Sequence, residues 1–179
     1  MKRFLPLLLI FVSPHLFAGQ ECMLGDQSEA DSRAEWTQCK DGFSGALIIT
    51  PDSDWEERWN TSPETIPHFT MASTVSYGQN LTVLIFFANP QADPAGKIDI
   101  ACDIKVTRPD GSSSINARGV ACATGQLQGA PSNIRLSAPV IRYVGEQKDL
   151  PGIWTIEVTL IDRVRNARIL LKSSFELVK

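Results

Sequence analysis

Histidine and cysteine are the side chains through which this sequence could most directly do chemistry, and both are sparse. There are two histidines and four cysteines. His15 sits in an apolar N-terminal stretch, which leaves His68 as the remaining imidazole. A serine or cysteine nucleophile needs a base within hydrogen-bond reach, so any such site would have to be built around His68. It stands in Ile66-Pro67-His68-Phe69, a setting that reads as a partly exposed strand residue. No Gly-x-Ser-x-Gly elbow is present. Cys22, Cys39, Cys102 and Cys122 lack the Cys-x-x-Cys spacing of a zinc knuckle. An even count in an oxidising compartment reads instead as disulfides. The pairs Cys22–Cys39 and Cys102–Cys122 each close a short loop, worth roughly 3 kcal/mol on the chain-entropy model, and are favoured over the other two connectivities. No catalytic residue, metal or cofactor is expected.

The remaining polar clusters are weaker. Asp52, Asp54, Glu56 and Glu57 crowd one segment, and Asp99 and Asp103 share one side of a strand pattern. Calcium takes about six to eight oxygen ligands, and neither group has the regular spacing of a calcium loop, so these carboxylates read as solvated. Such acids also resemble the carboxylate pair of a glycosidase, but any protein surface offers such pairs. Arg163, Arg165 and Arg168 flank the last turn, as a grip for an anion or as charges guarding an edge. Trp55 and Trp59 are spaced i, i+4, on one helical face. Buried, they anchor that helix; exposed, they form an apolar patch rimmed by acids. Burial of at least one is expected, with the rim from Asp54 to Asn60 as the weak choice of interaction surface. The sequons at Asn60 and Asn80 read as coincidental, Asn80 leading straight into an apolar run.

These residues need elements to hold them. Ser53-Asp54-Trp55-Glu56 matches a capping box, with Ser53 as cap, and Pro63 ends the segment. Ser28 and Asp31 resemble the start of another short helix, expected near Glu29 to Gln38, with Trp36 packing it down. From Phe43 onward the pattern is strand-like. Gly45 to Thr50 is apolar, and Leu81 to Ala88 is almost continuously so, as in a deeply buried strand. Ile98, Ile100, Cys102, Ile104 and Val106 alternate with polar residues, the period of a strand with one dry face. Pro109-Asp110-Gly111 is a turn. Ile134 to Ser137 and Val140 to Val144 are short strand candidates. Trp154, Ile156, Val158 and Leu160 share one face of the next strand. After a polar turn, Ile169, Leu171, Phe175 and Leu177 alternate in the last. The pattern predicts an immunoglobulin-like antiparallel β-sandwich of about seven or eight strands with short helical insertions.

Met1-Lys2-Arg3, the apolar run Phe4 to Val12 and the small residue Ala18 form a secretory signal pattern. The run is shorter than the ~20 residues a spanning helix needs. The expected organisation is a signal over 1–18, an acidic segment over 19–42 and the sandwich over 43–179. Of 17 basic residues two fall in the signal, leaving 15 against 20 acidic ones, a balance of −5. That charge disfavours nucleic acid as a partner. A periplasmic or secreted location follows as an expectation.

Several stretches carry a resemblance. They are Ala46 to Thr50 with Trp55 and Arg58-Trp59-Asn60; Gly78 with Leu81 to Phe87; Val106 to Ser112; and Asp149 to Trp154 with Phe175-Glu176-Leu177. Together they resemble a family of small exported proteins of Gram-negative bacteria with an immunoglobulin-like sandwich. The resemblance spans roughly Phe43 to the C-terminus, and its motifs are structural. It implies no activity or catalytic residue. The expected function is a non-enzymatic module that binds another periplasmic or secreted protein, or assists assembly. The alternatives are an inhibitor or immunity protein against a secreted enzyme or toxin, and, third, an enzyme or metal carrier.

Overall fold

The computed structural model describes residues 35–61 and 67–179. The expected signal, Cys22, Pro63 and most of the helix expected near Glu29 to Gln38 lie outside them.

The described residues form a β-sandwich. One sheet contains β1 (Thr37–Lys40), β2 (Phe43–Thr50), β4 (Asn80–Ala88), β7 (Arg135–Leu136) and β8 (Ile141–Val144). Its order is β1-β2-β4, after which β7 and β8 share the last position along β4. The other runs β3 (Thr74–Ser76), β10 (Ala167–Val178), β9 (Gly152–Asp162), β5 (Lys97–Thr107), β6 (Ser113–Gln126). One helix, α1 (Trp55–Trp59), lies between β2 and β3 in the chain. Ten strands are thus described, more than expected; β3 and β6 had no sequence counterpart, and β3 runs parallel to β10.

Alternation places the core. Leu47 and Ile49 from β2, and Leu81, Val83, Ile85 and Phe87 from β4, meet the inward residues of β5, β9 and β10. Trp154 is 2% exposed there, as expected of a core anchor. Gly45 lets β2 approach closely, since a Cβ at that position would run into Leu160 Cδ1 and lie 3.0 Å from Ile169 Cδ1. Cys102 and Cys122 are bonded, joining β5 to β6 with their Cα atoms 5.8 Å apart. None of the described cysteines is free; the expected Cys22–Cys39 bond involves a residue outside the described ones.

Two expectations are corrected. Thr37 and Gln38 are strand, not helix. Lys40 pairs with Phe43 across Asp41 and Gly42, whose φ angles of 53° and 79° make the tight primed turn that hairpins favour. β1 therefore joins the sandwich ahead of the expected boundary at Phe43. Arg168 and Lys172 do not guard an edge either. β9 is central, and β10 is covered by β3 and by Glu35, whose carbonyl accepts from the Lys172 N–H at 2.7 Å. The long edge is β6, interrupted by register irregularities against β5. Bulges of this kind hinder edge-to-edge pairing.

Candidate functional site

The outer face of the first sheet is where the expected site residues gather. A sandwich strand normally turns polar residues outward, but β2 and β4 turn out Ala46, Ile48, Leu84 and Phe86. This is why Leu81 to Ala88 reads as continuously apolar: both of its faces are covered. The outer cover is α1 together with Phe69. Trp55 is 7% exposed, and Trp59 and Phe69 are half-buried against Phe86, with ring centroids 5.2 and 5.7 Å away. At least one indole is thus an anchor, and Trp36, Leu136 and Val140 complete the cluster.

Arg58 fastens this cover. Its Nη1 donates to Asp52 Oδ2 at 2.9 Å and to the His68 carbonyl at 3.2 Å, and its Nε pairs with Asp54 Oδ1 at 2.9 Å. Asp52 Oδ2 also accepts the Thr70 N–H at 2.8 Å. Burial pushes the Asp52 carboxyl upward. Hydrogen bonds from Thr70 and Thr50 and the Arg58 charge outweigh it, so the pKa lies below the ordinary value. The acids therefore do not simply face water: Asp54 holds Arg58, and Glu56 pairs with Arg142 at 3.2 Å. The capping box is not formed. Asp54, not Ser53, is the cap residue, and it makes no side-chain cap bond because its carboxylate is engaged by Arg58. His68 is exposed and contributes its carbonyl.

The three C-terminal arginines do not converge on one site. Arg163 pairs with Asp99 and Arg168 with Asp103, each at 3.2 Å. Arg165 is drawn inward beside Asp162, which is fully buried, and donates to the carbonyls of Asp41 and Asn89. The two Asp162 oxygens accept from the backbone N–H groups of Gln91, Val164 and Arg165. This node closes one end of the sandwich.

Sequence reasoning missed two features. Arg58 was legible as the i, i+4 partner of Asp54. The other is an aromatic stack at the opposite end, where Tyr143 lies 5.2 Å from Trp154 and 4.8 Å from Phe175. Arg108 sits 5.9 Å over the Trp154 ring. The hydroxyls of Tyr77 and Tyr143 donate to the Asp149 carbonyl and carboxylate at 3.1 and 3.2 Å. No local spacing announces these long-range contacts. An open hollow of about 540 Å³ lies beside them, lined by Tyr77, Gly78 and Gly145 to Lys148. Its groups are largely satisfied by one another: Gly78 N–H donates to the Gly145 carbonyl at 2.7 Å, and Lys148 pairs with Glu146 at 2.6 Å. Among the described residues no three His, Cys, Asp or Glu side chains group as metal ligands.

No family model and no curated protein sequence matches the chain. Some solved structures are distantly similar. A family 123 glycoside hydrolase from Clostridium perfringens aligns with 75% of this chain at 10% identity and a TM-score of 0.42. An alkylpurine DNA glycosylase from Pseudomonas fluorescens aligns with 74% at 13% identity and 0.37. The chain spans 27% and 30% of the lengths of these two enzymes. A CARDB domain from Pyrococcus furiosus, covered over 89% of its length, aligns at 10% identity and 0.38. At such low scores no activity, ligand or metal carries over.

Proposed function

We propose that this chain is an exported, non-enzymatic protein-binding or assembly module of the periplasm, framed on an immunoglobulin-like sandwich. The observation that carries the reading is the outer face of the first sheet. Among the described residues its apolar surface is covered by a five-residue helix, one aromatic segment and Trp36, and Trp59 and Phe69 remain half-exposed. Half-exposed aromatics rimmed by charges are the composition of a protein contact site. The disulfide supports an oxidising compartment. Strand order is compatible with the frame: β5, β9 and β10 lie together in one sheet, with the last strand beside the short parallel β3.

A photocrosslinking amino acid placed at Trp59 in the producing cell tests the function, with Glu157 on the far face of the other sheet as control. Adducts of defined mass from position 59 and none from 157 are expected. No adduct from 59, or equal yields from both positions, would reject this face as the contact site.

A further inference from the structure

Trp59 and Phe69 come from different arms of the chain, α1 and the segment from Pro67 to Ala72, yet both rest on the one ring of Phe86. Neither arm belongs to a strand ladder. α1 has no side-chain cap. Among the described residues, its polar side chains reach the rest of the fold through Arg58 and through the Glu56–Arg142 pair. That pair is exposed on both sides, and such pairs hold little. In the other arm, the His68 carbonyl and the Thr70 N–H stand on either side of Phe69. Among the described residues they are the backbone groups bonded there before Ala72 donates to the Ile49 carbonyl at 2.9 Å. Both bonds end on one pair of side chains. Asp52 Oδ2 accepts from Arg58 Nη1 and from the Thr70 N–H, and the same Nη1 donates to the His68 carbonyl. The Asp52 side chain is 9% exposed and stands just past β2, where Thr50 Oγ1 accepts its N–H at 3.1 Å. Removing either partner would leave the other's charge uncompensated in a place with little water, so the ties stand or fall together.

We propose that Asp52 and Arg58 are the positioning residues of this contact face. They couple α1 and the Phe69 segment into one clamp, so that Trp59 and Phe69 meet a partner protein together or not at all. The inference rests on the reading of this face as the contact site and concerns how that site is held in shape. Two rings on separate arms would otherwise have to be ordered during binding, at the expense of affinity. Here the arms are ordered beforehand through bonds that share a single carboxylate oxygen. Neither residue need touch the partner for its loss to weaken binding.

The test reads each arm while the tie on the other is cut. Amide exchange is followed residue by residue in the full chain, with no partner present. Arg58→Met, on α1, should speed exchange of the Thr70 N–H by about tenfold or more, and Asp52→Asn should do the same at the Asn60 N–H, which closes α1 by donating to the Glu56 carbonyl. The β4 amides should keep their protection in both variants, which separates release of the clamp from loss of the fold. The double variant should go no further than the stronger single one, because one unit is lost and not two supports. In the producing cell, a photocrosslinking amino acid at position 59 should give several-fold fewer adducts in each variant than in the parent. Thr70 unchanged in Arg58→Met, Asp52→Asn acting on Thr70 and not on Asn60, additive effects in the double variant, or full adduct yield from a released clamp would each overturn the proposal while leaving the contact-site reading intact. A parent that shows the coupling but yields no adduct from position 59 would instead remove the contact-site reading on which the proposal rests.

Discussion

Tyr143 shows how a single side chain ties the end of the sandwich to solution pH. Burial, and then the Asp149 carboxylate beside its hydroxyl, push its pKa above the ordinary tyrosine value. The unfolded chain therefore loses this proton near pH 10, before the folded chain does. Above that pH the unfolded state binds fewer protons, so stability falls as pH rises. Urea unfolding of the parent should show a decline in stability that begins near pH 10 and continues as pH rises further. Tyr143→Phe, which keeps the ring contacts with Trp154 and Phe175, should flatten that decline; equal declines in both proteins would contradict the assignment. The sequence carried Trp154 plainly, as the first apolar residue of an alternating strand. It carried nothing of Tyr143, because the partners of this ring come from β9, β10 and the loop that follows β8.

Among the elements, α1 depends most on its surroundings. Helices this short are marginal alone, and α1 has no side-chain cap. The two indoles are unequal supports. Trp55→Ala removes a buried ring and should cost about 3–5 kcal/mol, whereas half-exposed Trp59→Ala should cost clearly less. Equilibrium denaturation of the two variants measures the difference, and equal losses would show that Trp59 carries as much of the packing. The spacing of these tryptophans was legible, as were β4, β5, β9 and β10, because their apolar residues recur with a fixed period. β6 was not: all but one of its residues are exposed or half-exposed, so little selects for apolar alternation, and its small residues read as loop. The β1 hairpin was legible from Asp41-Gly42 but was outweighed by the acids around it.

For the whole molecule, the covered outer face of the first sheet sets the layering. β2 and β4 are buried on both faces, so the first sheet behaves as a middle layer between the core and α1, while the second sheet meets the core with one face and water with the other. On that wet face charges pair across strands: Lys105 with Glu157 at 3.4 Å, and Lys172 with Glu35 at 3.4 Å. Exposed pairs like these contribute little stability. Among the described residues they leave that face without a free charged patch, unlike the aromatic outer face of the first sheet. The expected sandwich class was legible as a whole; the layering was not, since an apolar run does not say what covers its second face.

The Arg165 node also bears on the order of events in folding. Its bonds to Asp41 and Asn89 span 124 and 76 residues of chain. Contacts that close such long loops are entropically expensive before the intervening strands have paired, and so form late. Interactions absent from the transition state act on escape from the native state rather than on entry to it. Arg165→Met should therefore accelerate unfolding while leaving the refolding rate almost unchanged. Stopped-flow measurements on both limbs test this, and a slowed refolding limb would place the node in the nucleus instead. On this account the node acts as a latch on kinetic persistence: a slow unfolding rate protects the chain from proteolysis whenever cleavage outpaces reclosing.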